Sequence, residues 1–143
     1  MPNIRFDFTV RAQPELVFDA LSTPRGLSAW WTLEAAGEAK AGNEMFLGFG
    51  PGYDWRAEVS EYAPGETIEW IVTDADEDWN GTRLRIHLER QGSETLVQFE
   101  HSGWAKNSAH FRTSAFCWAM YFRLLRRYVE AGEVVPYAER QFA

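Results

Sequence analysis

"RAQPELVFDALSTPRGLSAWW", residues 11 to 31, is the stretch from which the rest of the chain can be read. Pro14 stands at the first turn of a short helix, where proline gives up no hydrogen bond, and Glu15 behind it suits the positive end of the helix dipole. Leu16, Val17, Phe18, Ala20 and Leu21 supply that helix's apolar residues. Thr23 then reads as the N-cap of a second short helix, with Pro24 again at the first helical position. The stretch ends on adjacent tryptophans, Trp30 and Trp31. Neighbouring side chains cannot both enter one core from a regular element. The pair must therefore divide between two environments.

Upstream, Ile4, Phe6, Phe8 and Val10 alternate with polar residues, the mark of a strand with one buried face. Downstream, from about residue 32 to 102, short strands are separated by turn chemistry. Glu44 to Phe49 is one strand, and "GFGPG" closes it. Tyr53, Trp55, Ala57 and Val59 line one face of the next, and Ile68, Trp70 and Val72 one face of another. Asn80-Gly81 signals a hairpin turn. Thr82 to Arg90 puts Leu84, Ile86 and Leu88 on one side; Thr95 to His101 does the same with Val97, Phe99 and His101. The last element is helical: Phe111, Ala115, Trp118, Phe122, Leu125 and Val129 fall within about 60° of one line at helical periodicity. Gly132 sits where a left-handed residue would end it. One strand, two short helices, about six further strands and a long amphipathic helix predict an α+β fold with an antiparallel sheet.

The totals exclude several classes. The formal charge of −7 opposes a nucleic-acid role, which needs a basic stripe; Arg123, Arg126 and Arg127 are too few to make one. Cys117 is the single cysteine, so neither a disulfide framework nor a cysteine metal motif is available. The N-terminus lacks the pattern of a signal peptide and no apolar run is long enough to span a membrane. A soluble cytoplasmic domain is expected, without membrane or nucleic-acid partners.

Single motifs add little chemistry. "GFGPG" has neither the lysine nor the following helix of a phosphate loop, and reads as a turn. "DADEDWNG", 74 to 81, begins like a calcium loop but carries Trp79 and Arg85 where glycine and glutamate are needed, so it reads as a solvated hairpin tip. His87, His101 and His110 lack metal-ligand spacing, and no metal is expected; His87 is expected to face solvent and His101 to point inward. Cys117 has no activating neighbour in sequence and reads as inert. The 7 tryptophans are the informative excess, because rings such as Trp55, Trp70 and Trp118 on buried faces either fill a core or wall a hollow one. On the other side of the long helix, Phe116, Met120 and Leu124 form a row. It offers either a seat for a C-terminal tail bearing Val134, Val135, Tyr137 and Phe142, or a homodimer face.

The opening stretch, together with "EYAPGETIEWIV", "EHSGWAKNSAH" and "CWAMYFRLLRRYVEAG", resembles the homologues of the activator of the heat-shock-protein ATPase. These belong to the START-related, helix-grip superfamily. The closing helix departs from the family's frequent Gly-Trp by carrying Cys117-Trp118. The resemblance implies one START-like domain over residues 1–143, with a curved antiparallel sheet of six or seven strands wrapped around a long C-terminal helix. Two short helices follow strand one, and a cavity lies between sheet and helix. The family name implies a stress-response link, although no separate chaperone-binding module is expected here.

The expected activity is binding of a small or medium hydrophobic or aromatic molecule, without cofactor. Trp31, Phe49, Trp55, Trp70, Phe99, Trp118 and Phe122 are the candidate lining, with His101 and Tyr121 as polar contacts. Trp30 is expected to anchor the second helix to the sheet, and Trp31 to lie at the cavity mouth. The alternatives are a cyclase- or hydrolase-type enzyme using His101 in the cavity, and a protein-interaction or homodimerisation domain using Phe116, Met120 and Leu124 on the outer face of the C-terminal helix.

Overall fold

A computed structural model describes residues 2–142. β1 (Ile4–Val10) leads into α1 (Pro14–Ser22) and α2 (Pro24–Trp30). Then come β2 (Glu34–Ala36), β3 (Glu44–Gly48), β4 (Asp54–Ala63), β5 (Thr67–Asp74), β6 (Arg83–Gln91) and β7 (Glu94–Ser102). α3 (Ala109–Ala131) and a closing 3-10 helix (Tyr137–Phe142) complete the chain. The strands form one antiparallel sheet in the order β1-β7-β6-β5-β4-β3-β2. Strands β2 to β7 therefore pair in sequence, and β1 closes the far edge on β7 with Phe6 opposite Phe99. Register shifts in β4 at Arg56/Ala57 and Val59/Glu61 bend the sheet. The curved sheet wraps α3, which is the helix-grip arrangement.

Local chemistry explains the boundaries. Pro24 opens α2, and Thr23 links it to α1: its Oγ1 accepts from the Gly26 N–H at 3.0 Å and donates to the Asp19 carbonyl at 2.9 Å. Ser108 caps α3 by accepting from the Phe111 N–H, and Gly132 ends it at φ 68°. Alternation does the rest. Leu84, Ile86 and Leu88 of β6 and Val97, Phe99 and His101 of β7 are buried together with Trp118, Phe122 and Leu125 of α3, Phe99 and His101 touching the helix directly. Each of those large apolar side chains contributes roughly 1.5–3 kcal/mol through burial. The opposite face of the sheet stays wet, with Arg85 pairing to Glu61 and Glu69, and Arg83 to Glu69.

The Phe116, Met120, Leu124 row is not one continuous exposed face. Phe116 is 77% exposed, Met120 is half-buried and Leu124 is buried, because helical periodicity turns Leu124 towards the protein interior. The C-terminal segment packs on α3 and also reaches α2, where Arg140 donates to the carbonyls of Ser28 and Thr32. The side chain of Phe142 lies outside the described residues.

Gly26 is the tightest point of the opening stretch. A Cβ there would stand 2.6 Å from the Ala20 Cα and 2.7 Å from the Asp19 carbonyl oxygen, both backbone atoms of α1. Alanine would improve helix propensity by about 1 kcal/mol, but it cannot be accommodated without parting the two helices. Gly26→Ala is expected to lower unfolding stability by about 1–3 kcal/mol, as overpacked sites do, measured by urea titration. A variant as stable as the parent would contradict this account of the α1–α2 contact.

Candidate functional site

One hydrogen-bond circuit ties α3 to the sheet. The Trp118 indole N–H donates to His101 Nδ1 at 3.1 Å, and His101 Nε2 lies 2.8 Å from Thr82 Oγ1. Thr82 in turn donates to the Trp79 carbonyl at 2.6 Å. With its own proton engaged there, Thr82 must accept from His101, which assigns the imidazole proton to Nε2. Trp79 completes the loop by donating its indole N–H to Ser114 Oγ at 3.1 Å, one turn before Trp118 on α3. His101 is fully buried, and burial pushes its pKa down to about 3, with His110 a smaller contributor. Protonating Nδ1 would also set two donors against each other.

Beside this circuit lies a cavity of about 320 Å³. Its wall comes mainly from Trp31 after α2, Phe49 and Tyr53 around the β3–β4 turn, Trp55 of β4, Asp76 and Trp79 between β5 and β6, and one face of α3. The helix contributes His110, Thr113, Ser114, Cys117, Trp118 and Tyr121. Tyr137 of the closing 3-10 helix completes the lining, and its hydroxyl donates to the Phe49 carbonyl at 3.3 Å. Arg140 holds that segment in place through Val135, Thr32 and Ser28 carbonyls, beneath the Tyr137 ring.

Five rings of the wall form a closed circuit of aromatic contacts. Centroids lie 5.1 Å apart for Trp31–Trp118, 5.9 Å for Trp118–Trp79 and 4.9 Å for Trp79–Trp55. Trp55–Phe49 at 5.1 Å and Phe49–Trp31 at 5.5 Å close it. The solvent side carries Tyr53 and Asp76, both exposed, and half-buried His110. His110 Nδ1 is 3.4 Å from Asp78 and its Nε2 is 4.0 Å from Asp76. Burial raises the pKa of Tyr121 to about 12 and raises that of Cys117, so both stay neutral near neutral pH. Among the described residues no three His, Cys, Asp or Glu side chains group to hold a metal ion.

Of the residues singled out from sequence, Trp31, Phe49, Trp55, Trp118 and Tyr121 meet at this cavity. Trp70, Phe99, His101 and Phe122 do not line it. They share the inward face of the sheet or helix but belong to its solid part, where Phe99 packs 4.7 Å from both Trp118 and Phe122. Trp30, expected to anchor α2 to the sheet, is buried and donates instead to the Ala20 carbonyl at 2.8 Å, tying α2 to α1, with its ring stacked on Phe122 of α3. Contrary to the expected division of the pair, Trp31 is buried in the same core at 3% exposure and stacks on Trp30, because it stands just past the end of α2; it also faces the cavity.

Sequence reasoning missed Tyr53, Asp76, Trp79, His110, Thr113, Ser114, Cys117 and Tyr137. The expected solvated tip at 74–81 is corrected at Trp79, which folds under it and is buried. The available signal was one bulky ring inside an otherwise acidic turn. His87, expected to face solvent, is half-buried and bonded to Thr67 Oγ1 at 2.8 Å.

Residues 11–130 match the family model described as Activator of Hsp90 ATPase homolog 1-like protein. The chain belongs to that family. A solved relative, the Aha1 dimer from Colwellia psychrerythraea, is 29% identical, with 93% of this chain and 99% of that one aligned at a TM-score of 0.85. CalU16 from Micromonospora echinospora is 17% identical over 96% of this chain and 83% of that one, with a TM-score of 0.77. DynU16, from the dynemicin biosynthetic locus, is 19% identical at a TM-score of 0.79, and the alignment covers 92% of this chain but 48% of DynU16. The last two likenesses speak to the fold alone. No curated protein matches the chain in sequence. No described helix of this family member is long and apolar enough to cross a membrane.

The circuit makes a pH prediction. His101 has a folded pKa below its unfolded one, so the unfolded chain takes up the proton first. The contribution is complete above about pH 6.5 and is lost as pH falls towards the folded value. Between about pH 6.5 and 5, above the usual carboxylate range, unfolding stability should fall by up to roughly 1.4 kcal/mol per pH unit. In His101→Gln this slope should flatten. Equal slopes in both proteins, measured by urea unfolding, would contradict the assignment.

Proposed function

We propose that this protein binds a small molecule, mainly aromatic or hydrophobic, in the cavity between α3 and the β3–β4 and β5–β6 turns. The observation that carries the reading is the closed circuit of Trp31, Phe49, Trp55, Trp79 and Trp118 around space left unfilled. A volume of about 320 Å³ lies at the lower end for ligand pockets. It suits a single-ring or compact two-ring compound. Apolar wall and few polar groups are the usual composition of such sites. The family and fold support ligand binding at this coarse level. The reading places no catalytic step on His101, whose two ring nitrogens are engaged in the circuit and whose side chain does not line the cavity.

The test is intrinsic tryptophan fluorescence during titration with a panel of small aromatic compounds. Four of the tryptophans line the cavity, so an occupant must change their emission. A saturable change is expected for some member of the panel. Trp55→Ala should weaken it about tenfold, equivalent to roughly 1.4 kcal/mol of lost stacking and contact, whereas Trp70→Phe should leave it unchanged. A flat response across the panel would overturn the proposal.

A second reading, homodimerisation along α3, has its own observation. Phe116 is 77% exposed, and the Colwellia relative is described as a dimer. Any such interface would use Phe116 and Met120, since Leu124 is already buried. Light scattering should then show a mass that rises with concentration towards twice the monomer, and Phe116→Ser should abolish the rise. A constant monomer mass would remove this reading.

A further inference from the structure

We propose that the ligand of this cavity carries a positive charge: its chemical class is an organic ammonium with an aromatic or alkyl body. The inference rests on the cavity being a binding site, and it adds the sign of charge the site selects. Two observations support it. The first is the wall itself, in which aromatic rings predominate, and such rings attract a cation over their faces. The indole N–H groups of Trp79 and Trp118 are already donated to Ser114 and His101. Two of the wall's four indole donors are thereby withdrawn from an anion, while all four rings remain in the wall.

The second observation is the charge at the mouth. Neither lysine nor arginine lines the cavity, whereas the Asp76 carboxylate does. That carboxylate accepts no hydrogen bond from the described residues; only its backbone carbonyl is engaged, by the N–H groups of Trp79 and Asn80. His110 stands nearer to Asp78, at 3.4 Å, than to Asp76, at 4.0 Å. Tyr121 and Cys117, neutral for the reasons given above, add no charge. The nearest buried cation is Arg140, one layer behind Tyr137. Its guanidinium is turned to the carbonyls of Ser28, Thr32 and Val135, the first two at the negative end of α2, and it does not line the cavity. An ammonium entering past Asp76 would thus meet a carboxylate first and aromatic rings next.

Calorimetric titration with three compounds of similar size tests this: phenyltrimethylammonium, its neutral isostere tert-butylbenzene, and benzoate. The cation is expected to bind about tenfold more tightly than the neutral isostere, with benzoate weaker than both. Asp76→Asn should remove most of that preference, weakening phenyltrimethylammonium far more than tert-butylbenzene. Added salt should weaken only the cation. Equal or tighter binding of the neutral compound or of benzoate by the unaltered protein would overturn the inference and leave the cavity reading in place. An Asp76→Asn variant with the full preference would overturn it as well. Failure of all three compounds to bind would remove both this inference and the reading beneath it.

Discussion

The hydrogen-bond circuit Trp118–His101–Thr82–Trp79–Ser114 is the constraint on which the site depends. It starts and ends on α3, and between those points it passes through β7 and the turn before β6. Each buried bond is worth only about 0.5–1.5 kcal/mol net, but an orphaned member would leave a desolvated polar group costing about 1–3 kcal/mol. Loss at one point therefore exposes the next. The circuit sets the register of α3 on the sheet, holds the imidazole neutral, and draws the β5–β6 turn inward so that Trp79 becomes wall rather than surface.

From there the aromatic residues divide into a solid half and a hollow half. Phe6, Phe99, Phe122 and Trp30 pack among themselves where α1, α2 and β1 close over α3. At the other end the sheet curves away, and Trp31, Phe49, Trp55, Trp79 and Trp118 touch around their perimeter without filling the space between. Trp31 and Trp118 belong to both halves, since Trp31 stacks on Trp30 and Trp118 on Phe122. The cavity is thus continuous with the core that supports it. Tyr137 and Arg140 then bring the C-terminal segment across its edge.

The fold was legible because it follows local rules. Pro14 and Pro24 open helices, Thr23 caps one, Gly132 ends another, and period-two alternation marks β1, β4, β6 and β7. The candidate site was legible only in part. Alternation shows that Trp70, Phe99 and His101 point inward, but not which end of the inward face is hollow, because that depends on the bend of β4 and the placement of the turns. Trp79 was hidden in an acidic turn whose inward fold depends on Ser114, 35 residues away. Tyr137 was hidden for a similar reason. The polar face of α3 that carries His110, Thr113 and Cys117 is adjacent to the apolar stripe, and nothing in helical periodicity distinguishes such a face from one bathed in solvent.

The central claim is that the space bounded by these rings exists to hold a molecule. Native mass spectrometry of the protein purified gently from its own host tests it most directly. The account predicts a population heavier than the bare chain by one discrete small-molecule mass, released when the protein is unfolded. A spectrum showing only the bare chain would contradict it and leave the rings as an imperfectly filled core.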